Sequence, residues 1–410
     1  MADLPREQGI GISMSHEWDK FAVHKEPPEI LRTKLEPPVK TLMGPGPTNC
    51  SKRVLRSLQH QIIGHLQPEV YQIMDEIKMG LQYVFQTKNR LTLALSASGH
   101  GGLEACLVNL LEPGDTILIV MCGIWGQRAA DMATRMGANA KLIETKHGRG
   151  ITLDELTLGL EQYKPAVVFV VQGESSTGLK QPLEGFGDLV HKYGALLMVD
   201  VVASLPGEPF FMDSWGIDAA YTGSQKVLGA PPGLAPISFS SRAEQKLFQR
   251  KTKSISFYWD LTVLGTYWKC FGNEDRVYHH TISSTLLYGL REALAEIAEE
   301  GLRAMWLRHA GAAARLRRGL ELRGLRSYVK IPRYQLSTIT LIELPPGVVD
   351  SIVVKRAAEK YNVEIAKGLG PTSGKVLRVG LLGMNATPQK VDLVLQALDE
   401  GLKSSSLSKL

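Results

Sequence analysis

The chain has 410 residues, of which 44% are hydrophobic and 21% are charged, a composition typical of a globular protein large enough for two or three domains. Its formal net charge of +6 is spread along the chain without a concentrated basic block, so we do not expect nucleic-acid binding. The longest apolar stretches have the length of strands and are too short to span a membrane.

Residues 1–40 are predicted to form an N-terminal extension followed by a proline-rich arm. The first twenty residues include acidic side chains and lack an apolar core, so they resemble neither a secretory signal nor a mitochondrial transit peptide. After the arm, the segment YQIMDEIKMGLQYVFQ has apolar residues at helical spacing, which predicts an amphipathic helix with one buried stripe. The stripe consists of Met74, Ile77, Leu81, Val84 and Phe85.

Next, apolar segments with the length of strands alternate with segments of helical periodicity. The strand candidates are LTLALSA, TILIVMC, AVVFVVQG, ALLMVDVVAS, AAYTGS and LAPISFS. Strands that alternate with helices predict an α/β fold with a mostly parallel sheet covered by helices on both faces. In such a sheet, ligands bind beyond the carboxyl ends of the strands, where the polar residues of this chain collect.

The character of the sequence changes after about residue 283, where long helical segments lead into a shorter α+β pattern. We predict a large domain over residues 41–300, with a helix bridging the boundary, a smaller domain over 301–403 and a flexible tail over 404–410. The tail ends in Ser408-Lys409-Leu410, the peroxisomal targeting tripeptide. We therefore expect a peroxisomal location and the peroxisomal import receptor as a partner, with an ordinary polar tail as the alternative.

The segment LSASGHGGLEACLVNLL predicts a strand that ends in small residues and leads into a helix. Ser98, Gly99 and His100 would place backbone N–H groups and a hydroxyl at the helix N-terminus, where a phosphate is favoured. The segment lacks the GxGxxG spacing of a dinucleotide loop, and the chain has no GxxxxGK[ST] motif. A plain turn, with His100 capping the helix, is the alternative for this segment alone.

Three further residues follow neighbouring strands. Trp125 can lie flat against a planar cofactor, although most tryptophans serve only in packing. Ser175 can reach a hydroxyl or a phosphate, while a turn rich in Ser and Gly is the simpler interpretation. Val202 can press on the opposite face of a ring held by Trp125.

An acid and an amine lie at the ends of two strands, Asp200 in ALLMVD and Lys226 in YTGSQKVLG. A pyridoxal phosphate enzyme needs this pair, because the amine can bond the cofactor aldehyde and the acid can keep the pyridine nitrogen protonated. For an isolated pair, a solvated surface lysine is the simpler interpretation. A lysine is protonated at its ordinary pKa of about 10.4, so Lys226 must be desolvated or near other cations to attack an aldehyde.

Several motifs, in order, resemble those of the alanine:glyoxylate (serine:pyruvate) aminotransferases, class-V members of the fold-type I pyridoxal phosphate enzymes. The motifs are GPGPTNCSKRVL, YQIMDEI, FQTKNRLTL, SASGH, CGIWGQR, QGESSTG, VDVVASL, YTGSQKVLGAPPG, VYHHTISS and LGPTSGKVLRVGLLG. The resemblance spans roughly residues 40–400. It implies a large domain with a seven-stranded sheet, a smaller C-terminal domain, and pyridoxal 5'-phosphate as cofactor. It also implies transfer of an amino group from alanine or serine to glyoxylate.

The resemblance assigns roles by position. Lys226 matches the lysine that binds the cofactor and moves the substrate Cα proton, and Asp200 matches the partner of the pyridine nitrogen. Tyr278 and Thr281 match residues that reach the phosphate of the neighbouring subunit, so a homodimer is implied. The other implied cofactor contacts are Ser98, Gly99, His100, Trp125, Ser175 and Gln225.

The implied substrate contacts are Arg378, Thr48 and Asn49. Arg378 matches the arginine that binds the substrate carboxylate, a role that suits a planar guanidinium; an outward strand arginine in a salt bridge is the alternative. Thr48 and Asn49 match a loop that closes over the substrate, where the family commonly has Ser at the first position. The family pattern SGSGH or SGSAH is SASGH here, but Ser98 and His100 are retained, so phosphate binding is expected to be intact. No metal is predicted.

Three other functions compete with this interpretation. A 3-hydroxykynurenine transaminase of the same family is the nearest, and we find no residue in the sequence that separates the two. A lyase of the cysteine desulfurase type needs a mobile cysteine of low pKa, and none of Cys50, Cys106, Cys122 and Cys270 is convincingly placed. A non-catalytic dinucleotide-binding protein would need the glycine fingerprint that is missing.

Overall fold

The computed structural model describes residues 26–145, 148–272 and 275–407. The chain divides into two units, Met1–Val39 and Lys40–Leu410. In the first unit, the described residues 26–39 are all solvent-exposed and include a short 3-10 helix, Glu29–Arg32. The first twenty residues and the terminal Ser408-Lys409-Leu410 lie outside the described residues, so the prediction of a peroxisomal signal is not addressed by the structure.

The second unit is an α/β structure. Its strands are Thr41–Leu42 (β1), Leu91–Leu95 (β2), Thr116–Met121 (β3), Asn139–Glu144 (β4), Val167–Val171 (β5), Gly173–Glu174 (β6), Leu179–Lys180 (β7), Leu196–Asp200 (β8), Ala219–Tyr221 (β9), Ala235–Phe239 (β10), Ile339–Glu343 (β11), Val363–Glu364 (β12), Ala366–Lys367 (β13) and Val376–Gly380 (β14). Its helices are Lys52–Ser57 (α1), Pro68–Phe85 (α2), Gly99–Leu110 (α3), Ile124–Arg135 (α4), Leu153–Tyr163 (α5), Phe186–Lys192 (α6), Ser241–Phe248 (α7), Leu261–Tyr267 (α8), Ser284–Glu300 (α9), Leu302–Glu321 (α10), Asp350–Tyr361 (α11) and Pro388–Leu407 (α12).

A seven-stranded sheet forms the centre, in the order β2-β10-β9-β8-β5-β3-β4. Strand β10 runs antiparallel to both of its neighbours, and the other pairs are parallel. Strands β5 and β8 are buried along their whole length, because helices cover both faces of the sheet. Their continuous apolar runs suit this position. The predicted mostly parallel α/β sheet is confirmed.

The edge strand β4 was missing from the predicted strands. Half of its sequence NAKLIE is polar, and four of its six residues are exposed. An edge strand has a partner on one side only, and charged residues there discourage pairing with other chains. The apolar pattern that reveals the buried strands is therefore weak at this position.

Helix α2 confirms the predicted amphipathic helix. Met74, Ile77, Leu81, Val84 and Phe85 are all at most 1% exposed. Its stripe packs against α9. The helix begins with a proline, which is tolerated in the first turn because no N–H donor is needed there. Replacing Leu81 with Ala would cost about 2–5 kcal/mol of stability, since the cavity left in this packed stripe cannot fully close.

The C-terminal part has a second hydrophobic cluster, formed around α10, α11, α12 and the antiparallel sheet β11-β14-β13. The helix predicted to bridge residue 300 is instead two helices, because Gly301 adopts a φ of +79° between α9 and α10. The division of this unit into domains at residues 300 and 301 stays a prediction. None of the described helices has the length and hydrophobicity needed to cross a membrane.

Candidate active site

A cavity of about 150 Å³ lies at the carboxyl ends of the central strands. It is lined by Ser98, Gly99, His100, Leu103, Trp125, Gly173, Ser175, Asp200, Val202, Ala203, Tyr221, Gln225 and Lys226. The structure therefore brings together Lys226 and every predicted cofactor contact except Tyr278 and Thr281. These side chains meet because the parallel strands β2, β3, β5, β8 and β9 all end at the same edge of the sheet or close to it.

Asp200, the last residue of β8, is 4% exposed and carries two hydrogen bonds. Its Oδ1 accepts from the backbone N–H of Val202 at 2.7 Å, and its Oδ2 accepts from the hydroxyl of Tyr221 at 2.5 Å. Burial raises the pKa of Asp200 to about 6, while these two bonds and the nearby Lys226 oppose the rise. The carboxylate is thus held in place and can bind a protonated ring nitrogen.

Lys226 follows β9 in a tight turn, and its amine points back into the cavity. Burial and, after it, the cation of Arg378 lower its pKa to about 8, while Asp200 acts in the opposite direction. Both conditions expected of a reactive lysine, desolvation and a nearby cation, are met. Its Nζ donates a hydrogen bond to the carbonyl oxygen of Pro45. Gly46 follows at a φ of +110°, and a Cβ there would overlap the Lys226 side chain.

Trp125 lies in the first turn of α4, with its ring at the cavity. Its indole N–H donates to the hydroxyl of Ser175 at 2.7 Å, which sets the orientation of the ring. His100 meets the indole edge-on, with ring centroids 5.4 Å apart. Val202 lies near Gly99, where an added Cβ would be 3.4 Å from the valine side chain. Trp125 and Val202 can therefore contact a planar ring.

The N-terminus of α3 also faces the cavity, because its N-cap residue Ser98 and the next residues Gly99 and His100 all line it. The hydroxyl of Ser98 makes no capping hydrogen bond to the helix. The first N–H groups of a helix lack partners within the helix and favour an anion. The predicted phosphate position thus has donors without partners in the described part of the chain.

Gln225 provides a test of whether the cavity suits a polar ligand. Its Oε1 is buried and has no hydrogen-bond partner among the described residues. A buried polar atom without a partner is costly, and a bound ligand can satisfy it. A half-turn of the amide would present an N–H group at the same place. Together with the side chains above, the cavity fits a group with an aldehyde, an aromatic nitrogen and a phosphate.

Arg378 approaches from β14 and is 9% exposed. Its Nε donates to the carbonyl of Lys367 at 2.8 Å, and its Nη1 donates to the carbonyl of Ser175 at 3.4 Å. Both partners are neutral carbonyls, so these bonds leave the positive charge available for an anionic ligand. Arg378 is not among the residues that line the cavity, but its hydrogen bond to Ser175, which does line it, brings the guanidinium next to the cavity.

Thr48 and Asn49 are not among the residues that line the cavity, and their side chains bond to the protein. Thr48 Oγ1 donates to the carbonyl of Leu382 at 2.9 Å. Asn49 Oδ1 accepts from the backbone N–H of Leu42 at 2.9 Å, and its Nδ2 donates to the carbonyl of Lys40 at 2.8 Å. Their contact with substrate stays a prediction; the part of this loop that reaches Lys226 is Pro45.

Tyr278 and Thr281 also lie outside the cavity lining. Both are exposed, Tyr278 to 53%, and their hydroxyl oxygens are 3.4 Å apart. Between them, His279 and His280 meet through their Nδ1 atoms at 2.8 Å. This segment is neither helix nor strand, so adjacent side chains can converge. In the described part of the chain, no group of three or more His, Cys, Asp or Glu side chains is arranged to hold a metal.

Sequence reasoning missed Tyr221 and Glu174. Tyr221 ends β9 within an apolar strand pattern and was treated as part of the strand, although a tyrosine directly before the turn to Lys226 was a usable signal. Glu174 lies in a Ser- and Gly-rich segment that was interpreted for Ser175 alone. Burial raises the pKa of Glu174 to about 7.

Burial also raises the pKa of each of the four cysteines. A cysteine desulfurase needs a thiol of lowered pKa at its active site. The environments of Cys50, Cys106, Cys122 and Cys270 therefore do not suit that chemistry.

The chain matches the family model described as aminotransferase class-V over residues 42–394. It is 50% identical to an alanine-glyoxylate aminotransferase of Drosophila melanogaster, over 93% of this chain and 97% of the relative. It is 51% identical to an alanine-glyoxylate aminotransferase of Mus musculus, over 94% of this chain and 92% of the relative. The crystal structure of an alanine-glyoxylate aminotransferase from Nostoc sp. superposes with a TM-score of 0.88 at 44% identity, and covers 92% of this chain and 100% of that one.

Proposed function

The chain belongs to the class-V aminotransferase family, and from this premise we propose that it moves an amino group from alanine or serine to glyoxylate, with pyridoxal 5'-phosphate as cofactor. The products are glycine and pyruvate, or hydroxypyruvate when serine is the donor. The observation that carries the proposal is the meeting of a desolvated Lys226 with a hydrogen-bonded Asp200 in one cavity. The names of relatives that share half of the residues support alanine and glyoxylate as substrates.

The bound cofactor supplies an electron-withdrawing ring and an aldehyde that carries the amino group between the two half-reactions. In this proposal the carboxylate of Asp200 would hold the proton on the ring nitrogen. Trp125 and Val202 would contact the ring, and the N-terminus of α3, with Ser98, would bind the phosphate.

Lys226 has two tasks in this proposal. Its amine would hold the cofactor aldehyde until an amino donor takes its place. The free Nζ would then accept the proton from the substrate Cα and hold it for return within the site. A pKa of about 8 suits both tasks. An amine whose pKa lies near the working pH is neutral often enough to accept a proton and basic enough to hold it.

Arg378 binds the carboxylate that amino donor and keto acid share, which places the Cα near Lys226. One arginine can serve both half-reactions, because alanine, serine, pyruvate and glyoxylate all have a carboxylate next to the reacting carbon. The burial of Arg378 strengthens this interaction, since little water competes for the guanidinium.

The experiment that tests the proposal is a screen of amino donors and keto-acid acceptors on the purified protein. We expect alanine or serine with glyoxylate to give the highest kcat/KM, and Lys226→Ala to abolish it. A preference for 3-hydroxykynurenine as donor would assign the other family activity. Absence of transamination with every donor, in a protein that has bound the cofactor, would overturn the proposal.

We further propose that the protein acts as a homodimer in which Tyr278 and Thr281 complete the phosphate site of the partner subunit. The exposure of Tyr278, together with that of Val277 at 54% and Phe257 at 66%, supports a surface that is covered by another chain. Co-expression of Lys226→Ala with Tyr278→Ala tests this. Hybrid dimers would regain one intact site only if Tyr278 acts across the interface, and no recovery of activity would contradict the proposal.

A peroxisomal location is also our proposal, and it rests on Ser408-Lys409-Leu410. A fluorescent fusion that keeps this C-terminus should enter peroxisomes. A fusion without Leu410 should stay outside, and equal distribution of the two fusions would refute the proposal.

A further inference from the structure

A second buried carboxylate, that of Glu174, lies beside the cavity without a role in the proposed reaction. Glu174 is 0% exposed in β6 and directly precedes Ser175, whose hydroxyl bonds the Trp125 indole. Gly123, the residue before α4, lies so close that an added Cβ would be 2.5 Å from the Glu174 Cδ. The carboxylate is therefore packed against the N-terminus of the helix that carries Trp125.

Three donors converge on this carboxylate. Oε1 accepts from the backbone N–H of Ser176 at 2.9 Å and from the Ser176 hydroxyl at 2.6 Å. Oε2 accepts from the backbone N–H of Trp125 at 3.3 Å. The Ser176 oxygen in turn accepts from the backbone N–H of Ile124 at 3.1 Å. Glu174 thus satisfies, directly or through Ser176, two of the N–H groups that begin α4.

We call four consecutive residues the clamp: Glu174, Ser175, Ser176 and Thr177. The clamp also bonds to the segment just before α4. Thr177 Oγ1 donates to the carbonyl of Cys122 at 3.2 Å. On its other side, the clamp receives a hydrogen bond from Arg378, through the Ser175 carbonyl at 3.4 Å. The clamp therefore connects the ring of Trp125 to the guanidinium of Arg378, and Glu174 is its buried anion.

We propose that Glu174 is a positioning residue: its carboxylate holds the N-terminus of α4 so that Trp125 stacks on the cofactor. The inference rests on the proposed function, in which Trp125 contacts that cofactor. A carboxylate is needed because three donors meet two oxygens. A glutamine would have one acceptor, and its NH₂ group would face the backbone N–H of Trp125.

The surroundings of Glu174 make its ionisation sensitive to pH. Burial raises its pKa to about 7, and the bonds from Ser176 and Trp125 oppose the rise. The charged and titratable groups that interact with it are Asp200 on β8, Arg378 on β14, Tyr221 on β9 and Cys122 after β3. Protonation removes one acceptor, so the hold on Trp125 should weaken as the pH falls.

The test is a double-mutant cycle on cofactor affinity, with the variants Glu174→Gln, Trp125→Ala and the combination. Titration of each apoprotein with pyridoxal phosphate gives the Kd. We expect Glu174→Gln alone to raise the Kd roughly tenfold, the effect of about one hydrogen bond to a charged group. In the Trp125→Ala background the same change should raise it less than about twofold, because the ring to be positioned is gone. Glu184→Gln, on the exposed surface of the β7–α6 connection, is the matched control.

Two further measurements separate positioning from a general loss of stability. The cofactor affinity of the wild type should weaken as the pH falls through about 7, and this step should be absent in Glu174→Gln, which keeps only the pH dependence set by Asp200 and Lys226. If that variant does not fold, Ser176→Ala replaces it in the cycle, since it removes the link from Glu174 to Ile124 and leaves the carboxylate. Additive effects in the cycle, or an unchanged Kd, would overturn the inference. If the wild type itself does not bind pyridoxal phosphate, the proposed function fails instead.

Discussion

The hydroxyl of Tyr221 donates a 2.5 Å hydrogen bond to Oδ2 of Asp200, and the two residues are direct partners where β9 pairs with β8. This bond favours the ionised carboxylate and opposes burial, which raises the pKa of Asp200. Tyr221 is itself buried, so the bond is shielded from water. The charge that the proposed role of Asp200 requires thus depends on a tyrosine that contacts it from the neighbouring strand.

Replacing Tyr221 with Phe removes this bond and keeps the ring. We expect the pKa of Asp200 to rise further and kcat to fall roughly tenfold, the effect of about one hydrogen bond to a charged group. The loss should be larger near about pH 6 than near about pH 8, because more of Asp200 is then protonated. Steady-state kinetics at both pH values measure it. Tyr288→Phe, which removes a hydroxyl bonded to the carbonyl of Gln61, is the control, and equal losses in both variants would contradict the prediction.

Uptake of the cofactor by the apoprotein should speed up as the pH rises through about 8. Burial, and then Arg378, lower the pKa of Lys226 to that value, and only the neutral amine attacks an aldehyde. Arg378→Met removes the neighbouring cation and should move the midpoint upward. Stopped-flow absorbance across the pH range gives both midpoints. Arg333→Met, at an exposed arginine, should leave the midpoint unchanged, and a wild-type midpoint near that of a free lysine would disprove the assignment.

Arg378→Lys should weaken substrate binding far more than cofactor binding. A lysine keeps the charge but cannot bond both carboxylate oxygens through a planar fork. We expect the KM for alanine and the KM for glyoxylate each to rise roughly tenfold to a hundredfold, with the Kd for the cofactor within about twofold. Initial-rate kinetics and cofactor titration give these values, and Arg333→Lys serves as the control. A change confined to one of the two substrates would show that Arg378 does not bind the carboxylate they share.

Asp200→Asn should stabilise the apoprotein at neutral pH. The pKa of Asp200 is raised on folding to about 6, so its contribution to stability is present below its unfolded value and is lost as the pH rises through about 6. Relative to the wild type, the variant should therefore gain about 1–3 kcal/mol in free energy of unfolding between about pH 4 and about pH 7. Chemical unfolding of both apoproteins measures the gain, and exposed Asp188→Asn is the control. A difference that does not change with pH would contradict the prediction.

Much of the fold follows from residue pattern alone. The stripe of α2 and the buried strands β5 and β8 were predicted because side-chain periodicity records which face of an element is buried. Asp200 and Lys226 were found because polar residues directly after buried strands of a parallel sheet collect at one edge. The strand β4 was missed because an edge strand, with its exposed Asn and Lys residues, has no such period.

The contacts between distant elements were decided only in the tertiary structure. Tyr221 bonds Asp200, Glu174 accepts from the backbone N–H of Trp125, and the Pro45 carbonyl accepts from Lys226. Each pair joins residues from different elements, and no local spacing encodes their approach. Such contacts form where helices and strands pack, and there the loss of water raises or lowers the pKa of a carboxylate or an amine. The residue pattern therefore pointed to the acid and the amine, and the family resemblance assigned their roles, whereas the packing of the chain set their charge and their neighbours.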